Sequence, residues 1–174
     1  VPSGVAVGPD GSVFISERDG ARVRVVTPDG FIRTIAGTGV AGFSGDGQRA
    51  TAAQLSDPRG LALGGDGSLY IADQKNNRIR RVTPDGFIQT VVGGGEAELR
   101  DGQLPTQIKL DKPDGITFSQ DGALYVATGS TVYKIAPGLT ELFDAEKPID
   151  SLIPSEDGHT LYRFDARGKH KETI

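Results

Sequence analysis

The chain has 174 residues, a formal net charge of −4 at pH 7, no cysteine, two histidines, 25 glycines and 10 prolines. A single domain of this size would bury about 70% of the surface its unfolded chain exposes, so a sizeable core is allowed. The acidic balance disfavours a polyanionic partner, and no basic run interleaved with aromatic residues suggests nucleic-acid readout. The lack of cysteine excludes a disulfide framework, a thiolate metal site and a cysteine nucleophile. No apolar run approaches the ~20 residues of a membrane span, so this segment is not expected to insert into a bilayer. The chain opens Val-Pro-Ser and has no methionine, so an internal piece of a longer protein is expected, with targeting signals outside it.

Residues 2–39 superpose without a gap on 58–95, at a constant offset of 56. In each copy a short apolar strand (Gly4-Val5-Ala6-Val7; Gly60-Leu61-Ala62-Leu63) runs into Asp10-Gly11 or Asp66-Gly67, a tight turn in which glycine supplies the positive φ. Second strands are expected at 13–17 and 69–73, and third strands at 23–27 and 79–83. Fourth strands, at 31–36 and 87–92, follow the repeated turn Thr-Pro-Asp-Gly, where proline fits the first corner. Each copy is thus a four-stranded meander. The connections at 40–57 and 96–112 exceed ordinary loops, which suggests a lid, a functional loop or a helical turn near Ala50 to Leu55. A third copy begins at Pro113 and extends over 113–143. Its second hairpin is shorter and lacks the arginine pattern.

A meander with two open faces and two edges cannot bury itself, and repetition at a fixed period implies radial stacking. The expected fold is therefore all-β, built from β-propeller blades that do not close a ring within this chain. Further blades of the same polypeptide or an oligomer would complete it. The expected division is blades over 1–150 (about 2–39, 58–95 and 113–143), with 151–174 leaving the repeat.

Charged residues recur at the second hairpin of each clear copy. Asp73, Asn77 and Arg78, with Glu17, Ala21 and Arg22 at the matching places, are expected to clamp that hairpin through a carboxylate–guanidinium pair. Recurrence in successive blades argues for a structural clamp over catalysis. Arg22, Arg24, Arg78 and Arg80 line the third strands and form a weak candidate surface for an anionic ligand. Arg81 falls on the opposite face by alternation, and a solvated strand face is the simpler reading. Ser44, Asp46 and Gly47 carry oxygen atoms suited to Ca²⁺ but lack the EF-hand spacing, which favours a glycine turn capped by aspartate. Gly93-Gly94-Gly95 has no following Lys-Ser/Thr, so no phosphate loop is read there. Both histidines, His159 and His170, lie in the tail, and no Gly-x-Ser-x-Gly elbow is present. No catalytic residue, metal or cofactor is expected.

Pro58-Arg59-Gly60-Leu61-Ala62, Asp66-Gly67, Leu69-Tyr70-Ile71-Ala72-Asp73 and Asn77-Arg78-Ile79-Arg80 together resemble the NHL repeat, a propeller blade. The loop at 37–58 is similar to the long loops of NHL propellers in teneurins and bacterial RHS-repeat proteins. The tail Tyr162-Arg163-Phe164-Asp165, Gly168, His170 and Thr173 resembles the first YD or RHS repeat. What the resemblance implies is a non-catalytic scaffold or recognition domain, extracellular or at the cell surface, leading into or plugging a YD-repeat shell. Its partners would then be protein, either that shell or further blades. In bacterial toxins of this type the shell encloses an effector. Two alternatives stay open: a propeller-fold lyase or lactonase whose metal ligands lie elsewhere, and a ligand-binding sensor ectodomain.

Overall fold

The computed structural model describes residues 1–98 and 104–135, with the backbone of Tyr162–Phe164 and His170–Glu172. The first sheet holds β1 (Pro2–Val7), β2 (Val13–Glu17), β3 (Arg22–Val26) and β4 (Ile32–Ala36) in that order. After β5 (Gln48–Arg49) come β6 (Pro58–Leu63), β7 (Leu69–Asp73), β8 (Arg78–Val82) and β9 (Phe87–Gly93). The second sheet is ordered β5-β9-β8-β7-β6. The third runs β10 (Ile116–Phe118), β11 (Leu124–Ala127), β12 (Val132–Ile135), β13 (Tyr162–Phe164) and β14 (His170–Glu172). Every strand pair is antiparallel, and the first two sheets share their register: Ile15 faces Arg24 as Ile71 faces Arg80. Both also break register at two matching places, at the start of the first strand (Pro2 to Gly4; Pro58 to Leu61) and in the third strand, between Val23 and Arg24 and between Ile79 and Arg80.

The turns repeat as faithfully as the strands. Asp10 accepts hydrogen bonds from the Ser12 amide (3.0 Å) and hydroxyl (2.8 Å), and Asp66 does the same with Ser68 at 3.0 and 2.7 Å. Each aspartate thereby satisfies a turn amide that the strands cannot reach. In the Thr-Pro-Asp-Gly turns, the Thr27 and Thr83 hydroxyls bond Asp29 and Asp85, and the Gly30 and Gly86 amides return to Thr27 and Thr83.

The blades stack through two apolar layers. Leu61, Leu69, Ile71, Val82 and Ile88 of the second sheet meet Val23 and Ala36 of the first, with Ala6, Phe14 and Ile35 packed alongside. The opposite face of the second sheet, through Tyr70, Ala72, Ile79, Val91 and Val92, meets Leu124, Val126 and Ile135 of the third. Tyr70 stands edge-on to Phe118 at 4.8 Å between ring centroids. Burying a side chain such as Ile71 or Ile79 contributes about 1.5–3 kcal/mol, so these layers hold the stack together.

Near the first strands the blades approach backbone to backbone. The Ser3 and Ser16 hydroxyls donate to the carbonyls of Pro58 (2.7 Å) and Arg59 (2.6 Å), and the Gly60 amide donates to Asp114 O (2.8 Å). Glycine is required here: a Cβ on Gly4 would lie 2.3 Å from Arg59 O, and one on Gly60 2.3 Å from Asp114 O.

The connection at 40–57 is not a free lid. Its β5 pairs with β9, placing Gln48 opposite Ile88 and covering the outer edge of the second blade. A 3₁₀ turn over Ala50–Ala52 follows, and Ala50, Ala53 and Leu55 enter the apolar layer. The connection before the third blade repeats the plan, with a 3₁₀ turn at Pro105–Gln107 and Ile108 and Leu110 buried. Asp57 and Lys112 both take left-handed backbone (φ 56° and 44°) on entering their blades. Residues 136–143, expected to hold the third copy's fourth strand, lie outside the described residues. The tail, expected to leave the repeat, contributes β13 and β14 to the outer edge of the third sheet, where Val132 pairs with Phe164.

Candidate functional site

In an antiparallel meander all second-hairpin turns and inter-blade connections fall at one end. That end gathers 18–21, 40–57 and 74–77. Its centre is Arg80, whose side chain has no solvent exposure although it sits on a strand bounded by polar residues. Arg80 meets Asp46 Oδ1 at 2.8 Å and Asp73 Oδ2 at 3.4 Å, and donates to the carbonyls of Ser44 (3.1 Å) and Gln54 (3.4 Å). Asp73, also fully buried, accepts from the Ser56 amide (2.7 Å) and Asn76 Nδ2 (2.8 Å). Asn76 donates onward to Gly42 O at 2.8 Å, and Thr90 closes the far side by donating to Asp46 Oδ2 at 2.7 Å. A buried charge is tolerated when paired and hydrogen-bonded, and one strand arginine thereby ties the connection down at several points.

Burial pushes the Asp73 carboxyl above its usual range, against the opposing pull of the Asn76 and Ser56 hydrogen bonds and the Arg80 charge. At the other end of the blade, burial also acts to raise Asp66, but the Ser68 bonds and Arg81 outweigh it and leave the carboxyl below its usual range. Asp10 is likewise lowered, first by the Ser12 amide.

The expected clamp takes a different form in each blade. In the first, Glu17 pairs with Arg22 at 2.5 Å and with Arg24 at 3.9 Å. In the second, Arg78 stands opposite Asp73 in the strand register, but the Asp73 carboxylate goes to Arg80, Asn76 and Ser56. Arg78 instead lies over the Phe43 ring at 4.0 Å, and Arg80 flanks the same ring at 4.9 Å. Asn77 is the left-handed residue closing the hairpin (φ 54°), and its Oδ1 accepts from the Lys112 amide at 3.0 Å. Ala21 holds the same conformation in the first blade (φ 45°).

Of the four arginines considered for an anionic ligand, Arg80 is consumed inside the protein, Arg78 is committed to Phe43, and Arg22 and Arg24 face Glu17. Arg81 projects to the other face, onto Ser68 (3.0 Å) and Asp66 (2.5 Å). Asp46, weighed for Ca²⁺, spends its two oxygens on Arg80 and Thr90. Among the described residues no group of three or more His, Cys, Asp and Glu converges; both histidine side chains lie outside that description. Phe43 was not singled out in the sequence, although an aromatic residue three positions before Asp46 in a glycine-rich loop was a usable signal. Beside this network a cleft of about 500 Å³ is lined by Arg18, Asp19, Ala41, Ser56, Asp57 and Lys75, with Val40 and Phe43 exposed nearby.

Stacked antiparallel four-strand units, tied by their first strands, define an all-β protein with propeller-like architecture. The Teneurin NHL domain family matches residues 40–100, a span that starts with the connection and runs through the second blade. Teneurin-m of Drosophila melanogaster is 32% identical over 75% of this chain and 5% of its own length. The chloroplastic protein SUPPRESSOR OF QUENCHING 1 of Arabidopsis thaliana is 30% identical over 87% of this chain and 15% of its own. The crystal structure of virginiamycin B lyase from Staphylococcus aureus superposes with a TM-score of 0.54 at 20% identity, over 98% of this chain and 54% of that one. The chain therefore carries an NHL-type domain and spans a small part of the curated relatives it matches.

Proposed function

We propose that this chain is a non-catalytic propeller segment that serves as a scaffold and recognition surface inside a larger teneurin- or RHS-like polypeptide. It would act outside the cell or at its surface, leading into or plugging a YD-repeat shell. One observation carries the reading. The charged side chains gathered at the connection end, Asp46, Asp73 and Arg80, are spent on fixing the 40–57 segment rather than turned toward a substrate. A rigid loop presenting Val40 and Phe43 (61% and 43% exposed) beside a mixed-charge cleft suits protein recognition.

The test uses the polypeptide that contains this chain, with a photocrosslinking residue at position 40. Crosslinks to other segments of the same polypeptide are expected. Turnover of a streptogramin B or lactone substrate by that polypeptide would overturn the reading in favour of a propeller enzyme. Crosslinks confined to a small diffusible ligand would overturn it in favour of a sensor.

A further inference from the structure

Blade 1 repeats the receptor that blade 2 uses to hold its connection, but among the described residues nothing fills it. Arg24 stands where Arg80 stands, each opposite the equivalent isoleucine of the neighbouring strand. Arg80 takes Asp46, Ser44 O and Gln54 O, whereas Arg24 reaches, among the described residues, the Glu17 carboxylate at 3.9 Å. The apolar positions agree. Leu61 and Ile88, buried in blade 2 under Ala53 and Leu55, correspond to Val5 and Ile32, which are 64% and 53% exposed; Val7 beside them is 65% exposed. Where the chain enters the blade the backbone is also equivalent. The Arg18 amide donates to Val1 O (2.9 Å) as the Gln74 amide donates to Asp57 O (3.4 Å), which puts Val1 in the place of Asp57.

We infer that the open face of blade 1 is a docking site for the inter-blade connection of a preceding repeat. That segment would present a carboxylate to Arg24 and small apolar side chains to Val5, Val7 and Ile32. Two observations identify the occupant: continuity with the filled junction one repeat along, and charge complementarity to an arginine that lacks its counterpart of Asp46. A β-rich apolar face of this kind is otherwise an aggregation hazard. The inference holds whether the assembled propeller is a scaffold or an enzyme.

The register of Val1 permits a direct test. Residues 40–56 are duplicated and joined ahead of Val1, recreating the spacing they have before Asp57. The grafted chain is expected to melt about 2–4 °C higher than the parent, with slowed amide exchange in Arg22–Val26. Asp46→Asn in the graft alone, or Arg24→Gln in the chain, should remove most of that gain, while Arg24→Gln should shift the parent by less than about 2 °C. No rise, or a rise indifferent to both substitutions, would overturn the proposal. It would equally be overturned if light scattering showed the ungrafted parent as a dimer dissociated by Val5→Asp, since the face would then belong to a second copy.

Discussion

Glu17, Arg22 and Arg24 in blade 1 hold the places of Asp73, Arg78 and Arg80 in blade 2, yet the two trios do different work. In blade 1 the side chains of Glu17 and Arg22 are 25% and 40% exposed and pair at 2.5 Å across a hairpin. In blade 2 the connection lies over the strand, Asp73 and Arg80 lose all exposure, and a carboxylate from 34 residues upstream of Arg80 joins them. The charges are conserved between the copies while their environment is not. Exposed pairs contribute about 0–1 kcal/mol, whereas removing one partner from a buried network costs about 3–5 kcal/mol because it strands the other charge.

The largest effect should therefore separate the two arginines. Arg80→Met is expected to destabilise the chain by about 3–5 kcal/mol in urea denaturation and to release 40–57 to proteolysis. Arg24→Met, with 21% of its side chain exposed and one long ion pair, should cost no more than about 1 kcal/mol. Equal losses would mean that burial by the connection does not set the difference.

The next contrast concerns how blades approach one another. Gly60 and Gly115 occupy the same repeat position, but a Cβ on Gly60 would sit 2.3 Å from Asp114 O, whereas one on Gly115 would meet nothing closer than Ala127 Cβ at 3.7 Å. Gly60→Ala must push blades 2 and 3 apart and should cost about 1–3 kcal/mol, as overpacking does. Gly115→Ala should stay within about 0.5 kcal/mol. Thermal melts of the two variants decide it.

These contrasts show what was readable in the sequence. The meanders were legible because alternation and turn chemistry are local: Leu61, Leu63, Leu69 and Ile71 fall into strands, and Asp66 caps its turn, for reasons contained within a few residues. The clamp was legible as a cluster but not in its pairing. Strand register set Arg78 opposite Asp73, while burial and a distant loop gave the carboxylate to Arg80. Asp46 drew notice as a metal ligand because its sequence neighbours are oxygen-rich; its actual partner, Arg80, lies 34 residues away. The role of 40–57 as an edge strand was hidden because two residues, Gln48 and Arg49, are too short to show a period.

A smaller effect tests the hairpins that support both trios. Ala21 carries φ 45° where blade 2 has Asn77 at φ 54°. Left-handed backbone is strained for alanine but not for glycine, so Ala21→Gly should stabilise the chain by about 0.5–1 kcal/mol net of the extra unfolded-state entropy. A loss of stability would show that the buried Ala21 methyl matters more than its backbone.

The smallest effect is one of sign, measured as stability against pH. The Asp73 carboxyl is raised in the folded state, so its stabilising contribution is present below the unfolded value near ~3.9 and is lost as pH rises through the higher folded value. The Asp66 carboxyl is lowered, so its contribution is present above the unfolded value and is lost as pH falls through the folded one. Relative to the parent, Asp66→Asn should lose stability near neutrality and converge with it in acid. Asp73→Asn should shift the opposite way, comparing best with the parent near neutrality and worst in acid, on top of any pH-independent cost of altering the bonds to Arg80 and Ser56. Parallel profiles for the two variants would mean that pairing with Arg80, and not burial, governs the Asp73 proton.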